Sequence, residues 1–186
     1  VGVEALVRWQ RSPEELLPPG RFIATAEESG LIVPMGEWVL REACHEAVKW
    51  PSGIKVAVNV SGEQLLDRGF IASVVAALSS SGLPPQRLEI EVTESIFVRD
   101  ASTARAALEQ IMALGCGVAL DDFGTGYSSL AYIRNLRFST IKVDRSFVQG
   151  SAKGNVESLA IIRAVVAMAE SLEMSTTAEG VETEQE

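Results

Sequence analysis

The chain has 186 residues, of which 47% are hydrophobic and 22% charged, a balance typical of a globular chain with one sizeable core. Its net charge of −9 argues against a polymeric nucleic acid as partner, because such binding depends on clustered lysine and arginine. No apolar run approaches the roughly 20 residues of a membrane span, so we expect no membrane contact by this segment.

Six short runs rich in valine, isoleucine and leucine alternate with segments of helical periodicity. The predicted strands cover residues 3–7, 55–60, 88–93, 118–121, 140–144 and 175–179. Amphipathic helices are predicted within 35–50, 69–82, 101–115 and 154–173. The proline-rich stretch 12–20 is interpreted as a loop. This alternation predicts an α/β fold with a parallel sheet.

Each predicted strand has one polar side, because side chains alternate between the two faces of a strand. The polar sides carry, in chain order, Glu4, Asn59, Glu91, Asp121, Lys142 and Glu179. Most of these residues lie toward the C-terminal end of their strand, where α/β folds build their sites. An open sheet would use two or three strands for one site, so polar groups on six strands favour a (β/α) barrel. Six strands are fewer than the eight of a closed barrel.

The polar side chains near the strand ends are suited to metal-assisted chemistry. Oxygen donors from Glu4, Asn59, Glu91 and Asp121 fit a hard divalent ion such as Mg²⁺ or Mn²⁺. The next residue, Asp122, would let the doubled aspartate serve two ions, as in two-metal phosphoryl hydrolysis.

Three further residues complete this interpretation. Lys142 is suited to stabilising negative charge, and Arg8 to binding a phosphate oxygen. Glu179 is suited to positioning or deprotonating the attacking water.

Structural interpretations of the same residues stay open. Glu4 could be a cap or an ion-pair partner, the pair Asp121 and Asp122 could cap the next helix, and Lys142 could form a buried ion pair with Asp144. The single histidine, His45, excludes a Ser-His-Asp triad and is interpreted as an ordinary helical residue. The two cysteines are too few for a disulfide framework and fit the cytoplasm.

Six motifs in order resemble those of the EAL-domain cyclic di-GMP phosphodiesterases. They are EALVRW (4–9), NVS (59–61), EVTES (91–95), DDFGTGYSSL (121–130), IKVDRSFV (141–148) and AEGVET (178–183). The resemblance covers the whole chain, residues 1–186. It implies a modified (β/α)8 TIM-like barrel and a hydrolase of bacterial second-messenger signalling. Such an enzyme converts cyclic di-GMP to linear pGpG by two-metal, in-line water attack, with two Mg²⁺ or Mn²⁺ ions and with Ca²⁺ as inhibitor.

The resemblance also implies a role for each matching residue. Glu4, Asn59, Glu91, Asp121 and Asp122 match the metal ligands, Lys142 the active-site lysine and Glu179 the general base. Leu6 and Arg8 match substrate contacts. Glu94 matches the glutamate that holds a loop, and in the family this loop shapes the second metal site and contributes to dimerisation. Glu182 matches a second glutamate of the last motif, whose role is less defined; the candidate Asp144 comes from strand alternation alone.

The resemblance departs from the family at the two ends. The first strand, with its QPI-like motif, and the last, with its glutamine, have no counterpart here, so we expect an incomplete barrel of six parallel strands with helices. Whether such a segment is active alone stays open. The implied partners are cyclic di-GMP, a second copy in a homodimer, and GGDEF or sensory domains of a longer parent chain. Whether that parent is attached to a membrane stays open. The alternatives are a non-catalytic cyclic di-GMP receptor and a scaffold that binds no dinucleotide.

Overall fold

In the computed structural model, which describes residues 2–124 and 136–183, the predicted alternation of strands and helices is confirmed. The strands are β1 (Gly2–Ala5), β2 (Trp9–Ser12), β3 (Glu15–Leu17), β4 (Lys55–Asn59), β5 (Leu88–Thr93), β6 (Gly117–Phe123), β7 (Thr140–Val143) and β8 (Ser175–Ala178). The helices are α1 (Ile23–Glu28), α2 (Ile32–Ala47), α3 (Gly62–Leu65), α4 (Phe70–Ser81), α5 (Ile96–Ala113), α6 (Arg145–Ala152) and α7 (Val156–Ser171).

Six of the strands form one parallel sheet in the order β1-β4-β5-β6-β7-β8. Helices lie between β1 and β4, β4 and β5, β5 and β6, and β7 and β8, as parallel pairing requires, whereas the β6–β7 connection runs largely outside the described residues. All six carboxyl ends therefore lie at one edge. This geometry positions the polar residues that follow or end each strand.

The core lies between the apolar side of the sheet and the helices. Val56 and Ile90 are fully buried, and they belong to the same cluster as Leu40 of α2 and Leu108 of α5. Each such side chain contributes roughly 1.5–3 kcal/mol when it leaves water. The alternation predicted for the central strands is thus confirmed, with the apolar residues packed beneath the helices.

Local side-chain caps fix where several helices begin. Ser61 and Gln64 form a capping box at the start of α3. Asp100 has non-helical backbone angles inside α5, and its carboxylate accepts from the Thr103 amide at 3.0 Å. It therefore acts as the cap of a helix that runs on from residue 101, where the sequence predicted it to start.

The interpretation of residues 12–20 as a loop is wrong in part. The antiparallel strands β2 and β3 form a hairpin around the turn at residues 13–14, and Pro19–Arg21 form a 3-10 turn. The hairpin strands are short and mostly exposed, so they carry none of the apolar alternation that identifies a buried strand.

The edge strands of the sheet are much more exposed than the central ones. All four residues of β8 are exposed, and Val3 of β1 keeps 47% of its surface. The apolar side predicted for strand 3–7 is therefore not buried within the described residues.

No helix in ranges 2–124 and 136–183 is both long and apolar enough to cross a bilayer.

Candidate functional site

The site is centred on Lys142, whose side chain is buried between carboxylates from four strands. Its Nζ lies 2.7 Å from Oε2 of Glu91, 2.8 Å from Oε1 of Glu179 and 3.3 Å from Oδ2 of Asp121. Oε2 of Glu4 is 3.7 Å away. The structure thus brings together the predicted lysine and four predicted acids, and Lys142 pairs with these rather than with Asp144.

The strand positions of these residues explain why they converge. Glu91, Asp121 and Lys142 lie inside the neighbouring strands β5, β6 and β7, on one face and near the carboxyl ends. All three are nearly inaccessible to solvent. Below them the same face carries small residues such as Ala57 and Ala119, which leave room for long polar side chains.

The β1 side of the site is arranged by a single hydrogen bond. Asn59, the last residue of β4, donates from Nδ2 to Oε1 of Glu4 at 2.6 Å. Glu4 lies on the edge strand, and its side chain keeps 34% of its surface. Its alignment therefore depends on Asn59 more than on packing.

Asp122 reaches the site through a break in the strand rather than after its end. The predicted strand 118–121 in fact continues to Phe123, and the β6–β7 register shifts between Leu120 and Phe123. Asp122 has φ 52°, a left-handed conformation that is uncommon outside glycine. Oxygens of Asp121, Asp122 and Glu179 consequently lie within 4.8 Å of one another.

The local environment raises the pKa of several of these acids. Burial raises the pKa of Glu91 to about 7, although the Lys142 ammonium acts in the opposite direction. Burial also raises the pKa of Glu179 and of Asp122, and the charge of Asp121 adds to both. Burial lowers the pKa of Lys142, but the hydrogen bonds that its ammonium donates to Glu179 and Glu91, together with the negative charges around it, raise this pKa above its ordinary value overall. The lysine therefore stays charged.

The donor set fits one or more divalent cations. Four carboxylates surround a single ammonium, and Asp122 adds a further one beside Asp121. Burial is the main cause of the raised pKa values of Glu91, Asp122 and Glu179, repulsion from neighbouring carboxylates adds to it, and a bound cation would offset both effects. Carboxylate and amide oxygens are the ligands that Mg²⁺ and Mn²⁺ prefer.

A cleft of about 840 Å³ opens beside the cluster. Its lining includes Asn59, Glu91 and Asp122 as well as apolar side chains such as Ile32 and Met35 of α2. Its volume is within the range of small-molecule sites. The cleft can therefore hold a ligand directly against the acidic cluster.

The remaining predicted residues lie further out. Leu6 lines the cleft, whereas Arg8 is not among the lining residues and donates to the carbonyl of Val7 at 2.8 Å. Both follow the end of β1, so strand alternation does not orient them. Asp144 caps α6, accepting from the Ser146 amide at 3.0 Å, and Glu182 is exposed beyond β8.

Glu94 is half-buried in the lining of the cleft, one residue after β5. The loop that it is predicted to hold, DFGTGYSS (122–129), lies outside the described part of the chain from residue 125 on. The interpretation that Asp121 and Asp122 cap the next helix also concerns that stretch and so lies outside the described residues.

Sequence reasoning missed several residues of the cleft. Gln64 is 5% exposed and lines the cleft, and Arg99 forms an ion pair with Glu63 across its mouth. A Ser-x-x-Gln spacing that begins at the serine of the NVS motif was the available signal for a capping box at Ser61. Nothing in the sequence indicated the Glu63–Arg99 pair, which joins α3 to α5.

Comparisons with known proteins add an independent observation. The sequence profile of the EAL domain matches residues 1–186. The chain is 45% identical over 188 residues to the bifunctional diguanylate cyclase/cyclic di-GMP phosphodiesterase MucR of Pseudomonas aeruginosa, covering 99% of this chain and 27% of that protein. It is 40% identical over 187 residues to the cyclic di-GMP phosphodiesterase PdeR of Escherichia coli, covering 99% of this chain and 28% of that protein.

A solved structure gives the same result for the fold. The structure described as the P. aeruginosa MucR phosphodiesterase in complex with c-di-GMP superposes with a TM-score of 0.92 at 45% identity, over 98% of this chain and 75% of that one. The six parallel strands thus belong to a modified TIM-like barrel, of which they form a curled half-barrel. The chain spans 22% to 30% of the length of the first curated relatives that it matches.

Proposed function

Because the chain belongs to the EAL-domain family, we propose that it hydrolyses cyclic di-GMP to linear pGpG with divalent cations. The observation that carries this proposal is the contact of Lys142 with carboxylates from four strands at the edge of a cleft. The printed activities of MucR and PdeR support it. All the predicted acids of the site are present, which favours an enzyme over a non-catalytic receptor.

The proposed metal ligands are Glu4, Asn59, Glu91, Asp121 and Asp122. When bound, the cations would neutralise phosphate charge and acidify a water molecule. We propose Mg²⁺ or Mn²⁺ as the activating ions, two per site, with the adjacent aspartates shared between them. Ca²⁺ is expected to inhibit, because it accepts longer and more variable ligand geometry than the smaller ions.

Glu179 and Lys142 are the proposed catalytic residues. The raised pKa of Glu179 suits a carboxylate that takes the proton from the attacking water. The Lys142 ammonium holds Oε1 of Glu179 at 2.8 Å and so orients this carboxylate toward the cluster. It also places a fixed positive charge next to the position where negative charge develops on the phosphate.

The substrate is proposed to lie in the cleft, with its scissile phosphate against the acidic cluster. Leu6 offers an apolar contact at the β1 side, and Arg8 would turn its guanidinium from the Val7 carbonyl toward a phosphate oxygen. We assign Glu94 to holding the loop after β6. Glu182 and Asp144 are assigned supporting positions only, since one is exposed and the other caps a helix.

The test is the appearance of pGpG when the purified full chain is incubated with cyclic di-GMP and Mg²⁺ or Mn²⁺, followed by chromatography. Glu179→Gln is expected to lower turnover by about 10²–10⁴-fold. Glu109→Gln, an exposed glutamate of α5 that pairs with Arg105, is the matched control. Absence of pGpG would refute the proposal, and tight binding without turnover would favour the receptor.

The wider setting of the chain is also proposed. We infer a cytoplasmic location, supported by the free thiols of Cys44 and Cys116, and a homodimer as the working form. GGDEF or sensory domains are proposed regulatory partners, since MucR carries both activities in one protein.

A further inference from the structure

We propose that Gln64 is a positioning residue of this site: it fixes the backbone that carries Asn59 and thereby sets the alignment of Asn59 with Glu4. The inference rests on the proposed function, because it takes these two side chains as metal ligands. Gln64 belongs to the short helix α3, which begins just after the end of β4. Its side chain is 5% exposed.

Hydrogen bonds hold the backbone after Asn59 from two sides. The amide of Val60 donates to the carbonyl of Glu91 at 2.9 Å, which ties the segment to β5. The amide of Ser61 donates to Oε1 of Gln64 at 3.2 Å, and the amide of Gln64 donates to Oγ of Ser61 at 3.3 Å. Asn59 is paired with Glu91 in the β4–β5 ladder, so the Gln64 side chain fixes the course of the backbone directly after Asn59, at Ser61.

The Gln64 side chain is in turn fixed by α2. It packs directly on the backbone of Gly36, and a Cβ at that position would overlap the amide group of Gln64. Gly36 is buried, and the same helix packs on the sheet through Leu40 and Cys44. A residue without a side chain is what permits this close approach. Gly36 and Gln64 thus connect the core helix to the Asn59 segment.

This connection affects one side of the site only. Glu4 lies on the exposed edge strand and is aligned by Asn59 through the 2.6 Å hydrogen bond. Glu91, Asp121 and Lys142 are held inside the central strands and by their own contacts. Displacing Gln64 should therefore weaken metal binding without removing the acidic cluster.

The test measures Mn²⁺ binding to the purified full chain by calorimetry, independently of turnover. Gln64→Met keeps the length of the side chain but removes its acceptor, and it is expected to raise the Mn²⁺ dissociation constant by about 10- to 100-fold. Gln64→Glu keeps an acceptor for the Ser61 amide and should recover most of that loss. Gly36→Ala, which pushes Gln64 away, should weaken binding as Gln64→Met does.

Gly150→Ala is the matched control for packing. A Cβ at Gly150 of α6 would also overlap a buried side chain, that of Ser158 of α7, although less deeply than a Cβ at Gly36 overlaps Gln64, and this contact lies away from Asn59 and Glu4. The substitution should lower the melting temperature and leave the Mn²⁺ dissociation constant unchanged. Weakening by Gly150→Ala equal to that by Gly36→Ala would overturn the inference.

Different results would refute the role of Gln64 and the proposed metal site. If the wild-type chain binds Mn²⁺ and folded Gln64→Met and Gly36→Ala bind it equally well, only the role of Gln64 is refuted. If the wild type does not bind Mn²⁺, or if Glu4→Gln and Asn59→Ala bind as the wild type does, the proposed metal site itself is refuted.

Discussion

Asp122 adopts a backbone conformation that an aspartate seldom takes, inside a strand and next to another acid. Its raised pKa means that the folded protein tolerates this negative charge less well than the unfolded chain does. A residue kept in such a position at a cost to stability is a candidate for function rather than for folding.

Replacing Asp122 by asparagine should therefore separate stability from activity. Asparagine tolerates the left-handed conformation and has no charge, so the melting temperature should stay the same or rise. Metal-dependent turnover should fall by about 10²-fold, because one proposed anionic metal ligand is lost. Thermal melting and initial rates on cyclic di-GMP measure both effects.

A different result would restore a structural role for this residue. If Asp122→Asn lost stability, and its turnover fell only in proportion to the folded fraction, Asp122 would be a cap or strand residue and not a ligand.

The Lys142 ammonium contacts four carboxylates, so its removal should destabilise the fold strongly. Lys142→Met leaves buried carboxylates without their ammonium partner, and we expect a loss of about 3–5 kcal/mol in the free energy of unfolding. Urea denaturation measures this loss. Lys55→Met, at an exposed position that begins β4, should change stability by less than about 0.5 kcal/mol. Equal effects of the two substitutions would contradict the central role of Lys142.

Strand alternation was sufficient to predict that Glu91, Asp121 and Lys142 share one face, because each lies inside a regular strand. It could not predict the orientation of Asp122, since a register shift cancels the alternation at that residue. The importance of Gln64 depends on contact with α2, about thirty residues earlier in the chain. Residue spacing carries no information on such a contact.

At the scale of elements, the cap at Asp100 gives α5 a measurable dependence on pH. The hydroxyl and amide of Thr103 and the hydroxyl of Ser102 hold the pKa of Asp100 at about 2. Because the pKa of Asp100 is lower in the folded chain, its charge stabilises the fold at pH values above the unfolded-chain pKa near 3.8. This stabilisation is lost as the pH falls through the folded-state pKa of about 2.

We expect Asp100→Ala to lower the urea midpoint at pH 7, and the difference from the wild type to shrink steadily between pH 4 and pH 2. Asn155→Ala is the control, because Asn155 caps α7 through Oδ1 at 3.0 Å from the Ser158 amide and carries no charge. Its effect should not change over that range. A constant difference for Asp100→Ala would show that its charge does not contribute.

Elements with a buried apolar side were predictable, and exposed ones were not. The bounds of β4 and β5 were predicted to within one residue, since Val56 and Ile90 mark their buried side clearly. The β2–β3 hairpin was missed because Pro13 and its charged neighbours are typical of a loop, and its pairing buries little.

At the scale of the whole molecule, the two thiols report on global unfolding. Burial raises the pKa of Cys44 to about 12 and that of Cys116 to about 11, so neither is a reactive thiolate near neutral pH. Each belongs to the main hydrophobic cluster.

Both cysteines should therefore be inert to a disulfide reagent such as Ellman's reagent at pH 8, and react only as fast as the chain unfolds. In denaturant both thiols should react at once and consume two equivalents of reagent per chain. Fast reaction of one thiol in native buffer would mean that its part of the core opens locally.

The parallel arrangement was predicted from the repeated strand–helix alternation, because such strands need long crossover connections. The barrel was favoured because polar groups recur on all six strands. The edge position of β1 and β8 follows from the incomplete barrel that the resemblance implies, whereas the alternation of residues 3–7 did not indicate that the apolar side of β1 would stay exposed.

The order of the strands has a further consequence for how the protein is made. Lys142 and Glu91 are 51 residues apart, and Asn59 and Glu4 are 55 apart, so each of these two contacts of the site closes a long loop. Such non-local contacts form slowly, and β7 and β8 leave the ribosome after the other strands. During synthesis the acidic strand ends of β1, β5 and β6 therefore lack their lysine until β7 has docked on β6.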